Sequence, residues 1–526
     1  MARFLLIGLD GAEPSLLGPW MDAGHLPHLA ALRARGTFMP LSSTRPPVTF
    51  PAWTTCVTGV NPGRHGIFDF TEMQPGSYAI RFVNRGRRAA PAIWNLLDDA
   101  GLRSCVLGVP GTYPPEPING VMVSGFDSPV ATAVERSFVY PPSRYTAVRD
   151  WRFADFQEHD IGPGWHADAL ARLLAGADRK AAIAEGLLRE EAWDFFMAVF
   201  GEADTVSHHF WLFHDPQSPR HRPGFETAIR QVYERLDAAV GRLVAAAGED
   251  VVVGVVSDHG FGGAGTGVAH LNNWLAEHGY LAWKPGGRDS LLKRAALSLT
   301  PERWRGGLFR RFGGLAARAE SRSRFGRIDW RHTTAWSEEL NYFPSIRVNL
   351  AGREPLGQVP RAEYDAFVAR LCAALEEWAP VARAWPRAAL YDGPEIDRAP
   401  DIVLELALED GYSHSCLRSA PGGPAFRRIR PEEAIGGKER GMNGTHRDPG
   451  VLLLSSPVAA KSASLADIAP TVLSVLGASC PPLDGRPLIG AAAAGDAAAR
   501  PAWAAPYTPE EEAIIATRMR ALGYFE

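Results

Sequence analysis

Five cysteines in 526 residues, Cys56, Cys105, Cys372, Cys416 and Cys480, are too few and too scattered for a disulfide scaffold. No CxxC pair is present, so a thiolate zinc knuckle is not indicated either. Lysine is equally scarce. Only Lys180, Lys284, Lys293, Lys438 and Lys461 occur, and arginine supplies nearly all the positive charge. That charge is not in excess: 55 basic against 59 acidic residues give a net charge of −4, which excludes the broadly basic surface of a nucleic-acid binder. No apolar run approaches the roughly 20 residues a membrane span requires. The apolar opening at residues 4–9 is too short for a signal peptide, and Asp10 interrupts it. A soluble, cytoplasmic protein is the expectation. Gross disorder is excluded by a composition of 46% hydrophobic and 22% charged residues.

What is present reads as an α/β chain. Residues 4–9, 104–109, 121–124, 195–200, 251–257, 402–406 and 451–454 are continuous apolar runs, as expected of parallel strands buried on both faces. Helical patterns lie between them. Residues 91–100 begin with Pro91 and are followed by Gly101, 227–248 carry apolar residues at helical spacing, and 465–476 end at Gly477. Alternating strands and helices predict a mostly parallel sheet. About 131–165 and about 286–326 break the rhythm, and we read them as lid-like insertions into one discontinuous core, residues 1–488. Residues 489–526 form an alanine-rich connector and a C-terminal helix, opened by a capping box at Thr508-Pro509-Glu510-Glu511.

Four separated segments place metal-type ligands just after a strand or on a helix face. Asp10 ends the first strand. Asp204 and His208 follow the 195–200 strand four residues apart, on one helix face. Asp258 and His259 end the 251–257 strand, and His446 precedes the 451–454 strand. In open α/β sheets, ligands gather beyond the carboxyl ends of the strands, so the four segments should converge. Taken singly, an aspartate after a strand is often a helix cap and an Asp/His pair a solvated helix face. Together, three aspartates and three histidines match the mixed oxygen and nitrogen ligands of a zinc-type site. Gly260–Gly265 also satisfies GxGxxG after a strand, but no helix obviously opens at Gly265, which argues against a dinucleotide site.

Between Asp10 and the next strand, Thr49-Phe50-Pro51 is followed by Thr58-Gly59-Val60-Asn61-Pro62-Gly63-Arg64-His65-Gly66-Ile67. Here the chain resembles the type I phosphodiesterase/nucleotide pyrophosphatase family of the alkaline phosphatase superfamily, whose pattern is TFP followed by TG-x-x-P-x-x-HGI. The remaining ligand motifs fall in the family's order, and the resemblance runs over roughly 4–488. It implies an alkaline-phosphatase-like three-layer core, with a mostly parallel central sheet and helices on both faces. It also implies two divalent ions, zinc in the first instance and manganese or magnesium otherwise. One would be held by Asp10, Thr49, Asp258 and His259, and the other by Asp204, His208 and His446. Thr49 looks like the nucleophile, giving a phospho-threonine intermediate on the way to hydrolysis of a small phosphorylated substrate.

A threonine hydroxyl is too weakly acidic to ionise at neutral pH, and metal coordination is one way to activate it. His65 reads as a structural hydrogen-bonding residue. Phe68-Asp69-Phe70 stands where nucleotide-cleaving members carry an asparagine, which argues against nucleotide pyrophosphatase activity. Threonine at the nucleophile position, with no clearly placed arginine for a dianionic phosphate, favours a phosphodiester or phosphonate monoester over a simple monoester. Arg85 and Arg87 are the candidate anion clamp. A phosphomonoesterase or phosphomutase of the same superfamily is the alternative, and a non-catalytic metal-binding protein a distant one.

Overall fold

The computed structural model describes residues 2–125, 136–153, 161–285, 324–339, 343–434, 442–491 and 493–495. Its centre is a nine-stranded sheet. We number its strands in chain order: β1 Arg3–Leu9, β2 Thr37–Ser42, β3 Ser104–Val109, β4 Gly120–Ser124, β5 Val139–Tyr140, β6 Phe195–Phe200, β7 Val251–Val256, β8 Gly450–Leu454 and β9 Ala463–Ser464. The spatial order is β9-β2-β8-β7-β1-β6-β3-β4-β5. The run β7-β1-β6-β3-β4 is parallel throughout. β8 is antiparallel to both of its neighbours, and β5 is antiparallel to β4.

Side chains alternate across this sheet, and both sets are buried. Leu5, Ile7, Phe196, Ala198, Val253 and Val255 join one apolar core, while Phe4, Leu6, Phe195, Met197 and Val256 join another. The first core is covered by the long helices Trp165–Glu190 and Ala228–Ala247, and the second by Thr49–Thr58, Ile93–Asp99 and Ile468–Leu476. Burial on both faces is why the strands read as continuous rather than alternating apolar runs. Among the described residues, no helix is long and apolar enough to cross a membrane.

Two segments expected to be parallel are not. Residues 450–454 form the antiparallel β8. Ile402–Leu406 lies outside the central sheet, in a four-stranded antiparallel sheet with Ala335–Ser337, Ser345–Val348 and Val381–Pro386. An apolar run reports burial, not strand direction, so the sequence pattern could not separate these cases. Gly260–Gly265 belongs to the strand Gly260–Ala269, which pairs with Tyr412–Cys416 and Gly444–Arg447. Its glycines admit neighbours: a Cβ on Gly262 would meet Arg447 Nε, and one on Gly263 the Tyr412 ring, inside van der Waals distance. Most of the 286–326 insertion, part of the 131–165 insertion, and nearly all of the 489–526 tail with its capping box lie outside the described residues.

Candidate metal centre

The carboxyl ends of β1, β6 and β7 open on one side of the sheet, and the predicted ligands stand there. Asp10 follows β1 directly. Asp204 and His208 lie on Glu202–His214, the helix after β6. Asp258 and His259 follow β7, and His446 sits on Gly444–Arg447 opposite Phe261. Thr49 is the first residue of the Thr49–Thr58 helix, which returns from the sheet after β2. All seven residues are buried except Asp204, whose side chain is 23% exposed.

The structure brings these side chains together. Asp204 Oδ1 is 3.3 Å from His208 Nε2 and 3.1 Å from His446 Nε2, and those two nitrogens are 3.0 Å apart. His259 Nε2 lies 3.3 Å from Asp258 Oδ2, 3.6 Å from Asp10 Oδ1 and 3.5 Å from Thr49 Oγ1. Asp204, His208 and His446 form one group of converging ligand atoms, and Asp10, Asp204 and His259 another. Asp204 therefore stands between the two predicted ligand sets rather than wholly in the second.

The partners of the imidazoles assign their protons. His208 Nδ1 faces Gly444 O at 2.9 Å, His259 Nδ1 faces Gly260 O at 3.1 Å, and His446 Nδ1 faces Pro47 O at 3.0 Å. A carbonyl accepts only, so each Nδ1 carries the proton and each Nε2 turns a lone pair into the site. Two such lone pairs 3.0 Å apart repel unless a cation or proton lies between them. The carboxylates show the same need, because Asp10 Oδ1, Asp204 Oδ1 and Asp258 Oδ2 are buried without a hydrogen-bond donor. Carboxylate oxygens without donors, converging with imidazole nitrogens, fit divalent cations.

The electrostatics agree. Burial, and then the neighbouring Asp204 charge, hold the Asp10 carboxyl well above the ordinary carboxylate range. Asp258 is raised by burial, then by Asp10 and Asp204. Burial alone would raise Asp204 too, but positive charge on His208, with hydrogen bonds from His208 and His446 once a proton sits between these donors, outweighs it and holds this carboxyl low, the same demand for a cation at this point. Burial, and then His446, keep His259 from protonating.

Several residues that the motifs did not single out support the cluster. Trp53 Nε1 donates to Asp10 Oδ2 at 2.9 Å, Gly11 N–H to Asp258 Oδ1 at 3.2 Å, and the Ser43 hydroxyl to the Asp258 carbonyl at 2.6 Å. Gly11 has φ +68°, and a Cβ there would stand 2.8 Å from Asp204 Cα, so the approach of Asp204 to Asp10 requires glycine. Lys180 and Glu202 form a fully buried ion pair of 2.9 Å beside the site. Trp53 follows Thr49 by one helical turn, which the sequence shows. The Lys180–Glu202 pairing across two helices is visible only in three dimensions.

The remaining motif residues take other places. His65 accepts Ile67 N–H on Nδ1 and bonds the Thr55 hydroxyl through Nε2 at 2.9 Å. Thr54 donates to Phe50 O. Phe68 packs on Tyr391 and Phe70 on Phe50. Arg85 is buried with Glu116 at 3.9 Å, and Arg87 pairs with Glu72, so both guanidiniums face protein carboxylates.

Comparison with known proteins places this geometry in context. A family model described as type I phosphodiesterase / nucleotide pyrophosphatase matches residues 4–438, a span that ends just before His446. Among solved structures, phosphonoacetate hydrolase from Sinorhizobium meliloti 1021 in complex with phosphonoacetate is 17% identical, with a TM-score of 0.53 over 91% of this chain and 95% of that one. Human ectonucleotide pyrophosphatase/phosphodiesterase 5 is 13% identical, with a TM-score of 0.49 over 92% of this chain and 97% of that one. No curated protein matches the chain.

Proposed function

The chain belongs to the type I phosphodiesterase/nucleotide pyrophosphatase family, and on that premise we propose that it hydrolyses a phosphodiester or a phosphonate monoester through a phospho-threonine at Thr49. The observation that carries this reading is the position of Thr49. Its hydroxyl stands at a helix N-terminus, 3.5 Å from His259 Nε2, the nitrogen that lies 3.3 Å from Asp258 Oδ2 and 3.6 Å from Asp10 Oδ1.

By this reading Asp10, Thr49, Asp258 and His259 hold one divalent ion and Asp204, His208 and His446 a second, both zinc. Such ions, when bound, supply Lewis-acid stabilisation of the attacking and leaving oxygens. The chain's own residues do the rest. The N-terminus of Thr49–Thr58 favours the phosphoryl charge. Trp53 and Gly11 fix the Asp10 and Asp258 carboxylates, and the three Nδ1–H···O=C bonds fix the imidazole rings. Attack forms the Thr49 Oγ1–phosphorus bond as the bond to the leaving oxygen breaks, and the hydroxyl proton leaves with the departing alcohol. Water then cleaves the phospho-threonine and restores the hydroxyl. Arg85 and Arg87 face Glu116 and Glu72, and this favours a singly charged ester over a dianionic monoester. We also propose that residues 1–488 act as one discontinuous catalytic core, with 489–526 trailing from it.

The test compares turnover of p-nitrophenyl phosphate, bis-p-nitrophenyl phosphate and a p-nitrophenyl phenylphosphonate by zinc-loaded protein, with metal analysis alongside. The diester and the phosphonate should be the better substrates, and Thr49→Ala should abolish turnover while the protein still takes up metal. No turnover of any of the three, or full activity in the alanine variant, would overturn the reading.

A further inference from the structure

The segments flanking the Thr49 helix on both sides are held by one short connection between two strands of the small antiparallel sheet, residues 391–395. Tyr391 leaves that sheet's side of the molecule and buries its ring against Phe68, at 5.1 Å between centroids. Its hydroxyl donates to the carbonyl of Arg45 at 2.8 Å, four residues ahead of Thr49. The next residues reach the chain just beyond the other end of the same helix. Gly59 closes it in the left-handed conformation, and the chain turns through Asn61–Gly63. There Asp392 N–H donates to Asn61 Oδ1 at 3.2 Å, and Glu395 N–H to Gly63 O at 2.8 Å. The two backbones touch so closely that a Cβ on Gly63 would lie 2.5 Å from Asp392 O, and a Cβ on Gly393 would lie 2.5 Å from Gly63 O.

Residues 43–48, which lead into Thr49, pass over the cluster of ligands. Ser43 bonds the Asp258 carbonyl, and Pro47 O accepts from His446 Nδ1 at 3.0 Å. The metal side of this loop is thus fixed by the central core. Its outer side, at Arg45, is held by Tyr391 from the connection between two strands of the small sheet. A hydroxyl nucleophile works only from a narrowly defined position, and a displacement of about 1 Å costs on the order of a hundredfold in rate.

We propose that Tyr391 is a positioning residue for Thr49, and that residues 391–395 form a clamp which sets the height and tilt of the nucleophile helix against the ligand cluster. The inference rests on the reading of Thr49 as the nucleophile. It also accounts for Asn61 and Gly63, which meet residues 392–395 directly, whereas Gly59 faces Leu483, Ala469 and Pro470.

The test uses the full-length, metal-loaded protein. Tyr391→Phe keeps the buried ring and removes only the bond to Arg45 O. It should lower kcat on bis-p-nitrophenyl phosphate about tenfold with KM little changed. Amide exchange should speed up at 45–53 and stay unchanged at 251–256. Tyr364→Phe is the control, because it removes a comparable half-buried hydroxyl bond, to Asp401 Oδ1 at 2.6 Å, between the Tyr364–Glu376 helix and the start of the Ile402–Leu406 strand. That variant should keep the wild-type kcat. The proposal is overturned if Tyr391→Phe leaves either kcat or exchange at 45–53 unchanged, or if Tyr364→Phe lowers kcat as much. Should the wild-type protein turn over no ester at all, the functional reading has failed, and unchanged exchange at 45–53 in Tyr391→Phe would separately sink the clamp.

Discussion

Lowering the pH from about 7 to about 5 should cost the folded protein about 2 kcal/mol through His65 alone. This imidazole is fully buried, with Nδ1 accepting the Ile67 N–H at 3.1 Å and Nε2 2.9 Å from the Thr55 hydroxyl. Its one ring proton therefore sits on Nε2, and a second would have to enter at Nδ1 against the Ile67 N–H. Burial first, and then the Arg88 and Arg398 guanidiniums, push its pKa down to about 3 from an ordinary 6.5. Because the folded pKa is depressed, the unfolded chain takes up the proton first. The stabilisation is complete above the unfolded pKa, and it is lost as the pH falls toward the folded one. Each unit in that window is worth about 1.4 kcal/mol, and the step from 6.5 to about 5 spans one and a half units.

The assay is urea denaturation of wild type and His65→Gln at both pH values. Glutamine can offer an N–H to Thr55 and an oxygen to Ile67, and it does not titrate. Other groups titrate alike in both proteins, so the difference between them isolates His65. The wild-type advantage at neutral pH should shrink by about 2 kcal/mol at the lower pH. A gap that stays constant within about 0.5 kcal/mol would refute the reasoning.

Two further outcomes follow from buried contacts. Lys180→Met leaves Glu202, 1% exposed, without its counter-ion, and should lower stability by about 3–5 kcal/mol. The double variant Lys180→Met/Glu202→Met should recover most of that loss, and a double variant as unstable as the single one would refute the paired-charge account. Gly11→Ala forces a Cβ to 2.8 Å from both Asp204 Cα and Phe261 Cε2, at a φ that alanine disfavours. It should cost about 2 kcal/mol or more in thermal or urea stability and weaken divalent-metal binding, followed by calorimetry with zinc as the probe. Unchanged zinc affinity would show that Gly11 does not govern the approach of Asp204 to Asp10.

Much of the site was legible because its chemistry repeats a simple placement. Asp10, Asp204 and Asp258 each follow an apolar run closely, and apolar runs of that length announce strands that end on one side of a sheet. The i, i+4 spacing of Asp204 and His208 likewise announces one helix face. Other features left no local trace. β2 carries Pro40 and several half-exposed residues, so it does not read as a core strand. The direction of β8 and of Ile402–Leu406 depends on which neighbours they meet, and an apolar run carries no record of that. Arg85 and Arg87 read as an anion clamp until Glu116 and Glu72 are seen beside them.

Residue types and spacing alone named the candidate donors: three aspartates, three histidines and a threonine, placed where strands and helices deliver them to one side of the sheet. The sequence by itself also determined the family, through a motif whose spacing is set by one helix and the turn that follows it. Only the tertiary structure decided which lone pairs face one another, because that follows from carbonyls at Pro47, Gly260 and Gly444 turning each imidazole about its Nδ1–H bond. The tertiary structure also set Asp204 between the two ligand sets and tied the segments flanking the Thr49 helix to residues 391–395. These are contacts between segments hundreds of residues apart, and packing fixes them where local propensity has no reach.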